Sequence, residues 1–196
     1  FVIWAMYSWM HIISTGVTSI IARRMGEGNL PDAQYVANQS LTLAIYLSLA
    51  VALIMLPTAP GIFAIMNTSG KVSQEGIPYL QIFAAGAISV FLFAAVDAIF
   101  RGSGNTKIPM WLIIFALSLN ALLDPIFIFG LAGIPKLSVA GAALSTVLSR
   151  CIAAAIGLWI LYRQGWFVPK LSALWTIDRP LALRIIEIGF PQAFSG

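Results

Sequence analysis

Five runs of about 20 apolar residues, parted by polar turns, leave this chain few folds to choose from. They cover residues 2–21, 39–56, 79–100, 110–129 and 139–161, and a sixth run begins at 185 and reaches 196. A bilayer core about 30 Å thick takes about 20 apolar residues of helix to cross. Period-two alternation is absent from the runs, which argues against a membrane β-barrel. Charged residues make up 9% of the 196 and hydrophobic ones 60%, more apolar surface than a soluble domain of this length needs. The chain therefore reads as all-α: a polytopic transmembrane helical bundle of about five full spans plus the start of a sixth. The first run has no basic leader and no small-residue cleavage site, so it is not expected to be a signal peptide. With the sixth run cut at 196, the sequence is expected to be a fragment of a longer protein.

Basic residues orient the bundle. The odd-numbered connections hold Arg23 and Arg24, then Arg101 and Lys107, then Arg163, Lys170, Arg179 and Arg184, against only Lys71 and Lys136 in the even-numbered ones. Eight against two places the odd-numbered loops in the cytoplasm of a multi-pass plasma (inner) membrane protein. The net charge of +4 follows from this topology and is no sign of a nucleic-acid partner. Cys151 is the single cysteine and can form no intramolecular disulfide.

The punctuation between runs is clear. Gly26 to Asp32 ends the first helix, with Asp32 expected to cap the second. Pro57 and Pro60 are expected to end that second helix. Residues 101–109 form a tight turn with Pro109 in the first turn of the next helix. Residues 139–146 hold five Gly, Ala or Ser residues and read as a close-packing surface between helices. Residues 166–180 are the longest polar stretch and suit a linker between two bundles. The chain divides on this reading into helices of a first bundle at 1–165, a cytoplasmic linker at 166–184, and the start of a second bundle at 185–196.

The chemistry lies in the few polar residues inside the runs. A carboxylate in a membrane span costs roughly 2.5–3.5 kcal/mol on the mildest insertion scale, so an intramembrane Asp is a functional candidate by default. Asn120 and Asp124 stand four apart and share one helix face. Pro125 has no N–H, so the carbonyl of Ala121 loses its helical partner. Carboxylate, amide oxygen and freed carbonyl are hard oxygen ligands for a small cation, or a station where proton and ion alternate. Asp124 lies roughly 22 Å from the cytoplasmic end of its helix. Arg150, near the middle of the fifth span, must face protein or water: it is either the ionic partner of Asp97 or Asp124 or a substrate-pathway residue. Asp97, one turn before Arg101, reads as an i,i+4 pair with it, or as a tentative pathway residue. His11 reads as a packing residue with a proton relay as the alternative. Trp4, Tyr7 and Trp9 are cavity-lining or interface aromatics. No HExxH, GxSxG, Walker-type loop or Cys/His cluster occurs, so no enzyme and no organic cofactor is expected. An ion gradient is then the energy source for any transport. A structural membrane subunit is the competing class, and Asp124 beside Pro125 argues against it.

Three stretches together carry a family resemblance. They are GVTSIIARRMGEGNLPDA at 16–33, RGSGNTKIPM at 101–110, and NALLDPIFIFGL at 120–131 followed by VAGAALST at 139–146. In order and spacing the chain resembles the multidrug and toxic compound extrusion (MATE) family. The resemblance implies a twelve-helix, two-lobe transporter, of which this sequence would be helices two to six and the start of helix seven. It implies an antiporter that exports drugs or organic cations in exchange for Na⁺ or H⁺. It also implies that Asn120 and Asp124 form part of the cation site, as Na⁺ ligands if sodium is the coupling ion, with Thr146 facing the same cavity. The partners implied are a small-molecule substrate, the bilayer, and the missing helix and second lobe of the parent chain. A lipid-linked oligosaccharide flippase of the same superfamily is the alternative, kept open by Arg150.

Overall fold

The computed structural model describes residues 2–68, 70–133, 135–166 and 177–193. They form seven helices: α1 (Val2–Gly26), α2 (Leu30–Ile65), α3 (Gly70–Ala85), α4 (Ala87–Gly102), α5 (Lys107–Phe129), α6 (Ser138–Arg163) and α7 (Arg179–Ala193). No strand occurs among the described residues. By length and composition α2, α5 and α6 can each cross a membrane. α3 and α4 pass that test only together, as a pair bent by 50° at Gly86 that counts as a fourth span when taken as one. α1, at 25 residues, is of spanning length but falls outside that composition test, so the expected five full spans are narrowed to four that meet it. Residues 167–176 of the expected linker lie outside the described residues.

Helix ends follow local chemistry. Asn29, rather than the expected Asp32, caps α2: its side chain accepts from the Asp32 amide at 3.2 Å, with Pro31 in the first turn. In the α1–α2 turn, Glu27 accepts from Arg23 at 2.8 Å and from Arg24 at 3.0 Å. Those two guanidiniums hold its carboxyl below the usual carboxylate range. The depressed value means this tie is in force above the ordinary Glu pKa and is lost as pH falls through the lowered one. α5 ends on Gly130 in the left-handed region (φ 75°), a conformation glycine takes without steric cost.

Pro57 and Pro60 do not end α2. Both sit inside a 36-residue helix that runs on to Ile65. A proline in an aqueous helix leaves a carbonyl to water, but in an apolar setting nothing competes for the chain and local groups take up the slack. The Thr58 hydroxyl donates to the Ile54 carbonyl at 2.6 Å within this segment. Pro125 is likewise accommodated inside α5.

The core lies where α1, α2, α4 and α6 meet, around Val17, Ile21, Leu41, Val96, Ile99, Phe100 and Leu161, each at most 2% exposed. Leu53, Trp111 and Leu122 are exposed large hydrophobics on the outside of spanning helices, as lipid contact requires. The odd-numbered connections share one end of the bundle. There Gln34 donates to the Gly165 carbonyl at 3.0 Å and the Tyr35 hydroxyl to Asp178 at 3.0 Å, tying the start of α2 to the end of α6 and the start of α7.

Two pairs of helices approach backbone to backbone. A Cβ on Gly141 of α6 would stand 2.6 Å from the Phe127 carbonyl oxygen of α5. Gly141→Val must therefore force α5 and α6 apart, because a backbone cannot rotate aside. The expected cost is about 1–3 kcal/mol, as for other overpacked cores. Thermal unfolding followed by fluorescence-detected size exclusion checks it, and an unchanged midpoint would contradict the contact.

Candidate functional site

Polar side chains from α5 and α6 meet inside the bundle. Ser145 of α6 is fully buried and its hydroxyl donates to the Asp124 carboxylate of α5. The Asn120 amide nitrogen donates to the hydroxyl oxygens of Ser145 and Thr146, both at 3.3 Å. Thr146 in turn donates to the Ala142 carbonyl at 2.9 Å. Asn120 and Asp124 thus share a face, as their spacing requires, and one serine links them. Asp124, Asn120 and the two hydroxyls bring together oxygen groups of the kind that a small hard cation or a proton takes.

Below this cluster is a cavity of about 220 Å³ between α1, α4, α5 and α6. His11, Ser14, Asp97, Asn120, Thr146, Ser149 and Arg150 supply its polar lining. Asp97 makes the expected pair with Arg101, Nε to Oδ2 at 2.8 Å. Its other oxygen, Oδ1, is buried without a hydrogen bond. A buried acceptor left so costs roughly 1–3 kcal/mol. Arg150 is half-buried and its guanidinium stacks over the Phe93 ring, 5.1 Å from the centroid. Among the described residues it forms no ion pair, so the expected pairing with Asp97 or Asp124 gives way to a cation–π contact. His11 lines the cavity as an exposed side chain rather than packing in the core. The side chains of Trp4, Tyr7 and Trp9 lie outside the described residues.

Among the described residues no three His, Cys, Asp or Glu side chains cluster as metal ligands. Ser145 and Ser149 are the site residues that sequence reasoning missed. Both sit in or just after the small-residue stretch that reads as packing alone. The signal was present: Ser145 precedes Thr146, and two adjacent hydroxyls in an apolar run must each find an acceptor.

Residues 2–126 match the family model described as MatE. The chain belongs to the MatE family. It is 29% identical over 201 residues to a probable multidrug resistance protein NorM of Thermotoga maritima, covering 99% of this chain and 42% of the relative. It is 29% identical over 181 residues to the multidrug export protein MepA of Staphylococcus aureus, covering 92% and 39%. A solved structure described as the inward-facing conformation of a multidrug resistance MATE family transporter is similar at TM-score 0.87 and 28% identity, over 99% of this chain and 43% of that one. One described as outward-facing is similar at TM-score 0.87 and 28% identity, over 99% and 42%. The chain therefore spans less than half the length of these relatives.

Ser145 holds Asp124 beside Asn120. Ser145→Ala removes the donor to Asp124 and one of the two acceptors of Asn120, whereas Thr146→Ala removes one acceptor only. Buried hydrogen bonds between membrane helices are worth about 0.6–2 kcal/mol. Ser145→Ala is expected to lower the unfolding midpoint more than Thr146→Ala, and the reverse order would refute the role given to Ser145.

Proposed function

We propose that this chain is the first-lobe part of a secondary active transporter, a Na⁺- or H⁺-coupled antiporter that exports drugs or organic cations across the plasma membrane. The odd-numbered loops face the cytoplasm. The observation that carries the reading is the Asp124–Ser145–Asn120 cluster, an intramembrane carboxylate held by hydroxyl and amide groups with no fixed cation beside it among the described residues. A carboxylate so placed can take up a proton or a Na⁺ and release it. The multidrug relatives and the similar transporter structures support the substrate class.

Coupling follows from shared residues. Asn120 and Thr146 belong both to the Asp124 cluster and to the wall of the 220 Å³ cavity. An ion that draws Asn120 toward Asp124 changes the polar lining that a substrate meets. Asp97 and Arg150, on the same wall, act in the substrate pathway. Each ligand then shifts the affinity for the other, as coupled transport requires. The equal similarity to inward- and outward-facing structures supports a lobe that keeps its internal packing while access alternates. The flippase alternative is not favoured, since the relatives that match are multidrug proteins.

The test is efflux from cells and from proteoliposomes made with the full-length protein that carries this sequence. Asp124→Asn is expected to reduce export at least ~10-fold, a loss of about 1.4 kcal/mol or more in coupling, while leaving a monodisperse folded protein. An imposed Na⁺ gradient against an imposed pH gradient decides the ion. Full activity in Asp124→Asn would sink the proposal, and a change in stability alone would return the chain to the class of structural subunits.

A further inference from the structure

A second cavity, of about 240 Å³, opens at the end of the bundle that carries the basic connections. Its walls come from α1, α2 and α7. Arg23 and Arg24 stand on α1 and Arg184 on α7, while Ile20, Val36 and Leu181 line the apolar part. Arg23 and Arg24 share the carboxylate of Glu27, and Asp32 stands 3.8 Å from Arg24. Among the described residues no ion pair reaches Arg184. Three guanidiniums thus face one hollow with two carboxylates nearby, and the surplus charge comes from the helix opposite the neutralised pair.

We propose that this cavity binds a phosphate-bearing anion, with the headgroup of an anionic phospholipid as its occupant. Guanidinium donors match phosphate oxygens in pairs, and basic pockets between membrane helices take acidic headgroups. The apolar wall suits the first carbons of acyl chains, which a free phosphate does not use. The arginines belong to α1 and α7, which the linker separates, so the anion bridges Arg23 and Arg24 to Arg184 and holds α7 on α1. The proposal rests on the cytoplasmic orientation given above only for which leaflet supplies the lipid; binding in micelles, which have no sides, is read independently of it.

Native mass spectrometry of the full-length protein in detergent, titrated with phosphatidylglycerol, phosphatidylcholine or inorganic phosphate, gives the test. Phosphatidylglycerol is expected to be retained in preference to phosphatidylcholine. Each positive charge removed is expected to weaken retention about fivefold, so Arg184→Gln and Arg23→Gln each show that loss, while Arg184→Lys, which keeps the charge, largely keeps binding. Lys71→Gln, which removes one charge at the opposite end of the bundle, is expected to change nothing. Inorganic phosphate binding alone with the same dependence on Arg184 would assign the site to a soluble phosphate compound and keep the shared chemistry. Equal retention of the two lipids, or equal loss in Lys71→Gln and both arginine variants, overturns the proposal. Arg23 lies on a different helix from Arg184, so a misfolded Arg184 variant leaves the Arg23 variant to decide.

Discussion

The contact between α5 and α6 at Gly141 is the constraint on which the site depends. A membrane interior offers no water, so each buried polar group must find a partner in protein. Gly141 meets the backbone of Phe127 and Ile128 with no side chain between. That approach brings Ser145 and Thr146, one turn further along α6, within reach of Asn120 and Asp124. A larger residue at 141 would leave two hydroxyls, an amide and a carboxylate in an apolar layer without one another. The helix pair and the polar cluster are therefore one arrangement: the small residue sets the distance, and the polar residues fix the register.

The two intramembrane carboxylates have different surroundings, and this separates their roles. Asp97 is tied through one oxygen to Arg101, which is half exposed at the end of α4. Its charge is balanced by a fixed cation, and only Oδ1 faces inward without a partner. Asp124 has a hydroxyl partner, which stabilises a carboxylate without neutralising it. Arg150 could have neutralised either one but lies over Phe93 instead. On the proposed reading Asp124 is the group whose charge a mobile ion meets, while Asp97 and Arg150 give the cavity a polar lining of both signs.

How much of this was legible in the sequence depends on which physics a residue obeys. Asn120 with Asp124, and Asp97 with Arg101, were readable because a helix fixes the geometry of residues four apart. Apolar run length gave the helical class and most of the spans. The proline rule failed at Pro57 and Pro60, since it weighs a helix interior against a hydrated turn and a bilayer offers no such turn. The bend at Gly86 was invisible in a continuous apolar run from 79 to 100. Ser145 was hidden among alanines because its partner lies 21 residues away, across a turn whose geometry only the fold supplies. Arg150 illustrates the same limit: charge demands a partner, but the sequence does not say that an aromatic ring on α4 will serve.

A linker in sequence need not be a boundary in packing. The polar stretch at 166–180 reads as a break between bundles, yet α7 beyond it crosses α1 in close contact. A Cβ on Gly16 would fall 2.1 Å from the Ile185 carbonyl oxygen, and one on Gly189 would fall 1.9 Å from that of Ile12. Each helix lends the other a glycine, so two backbones cross with Ile185 only 1% exposed between them. The chain on either side of the linker is pinned to α2, through Gly165 and Trp166 to Gln34 and Asn38 and through Asp178 to Tyr35 and Gln39. Polar ties at the basic end fix where α7 starts, and the glycine crossing fixes how closely it then runs along α1. α7 is therefore already part of this core, and a change in its angle must be felt at α1, the helix that brings His11 to the cavity wall.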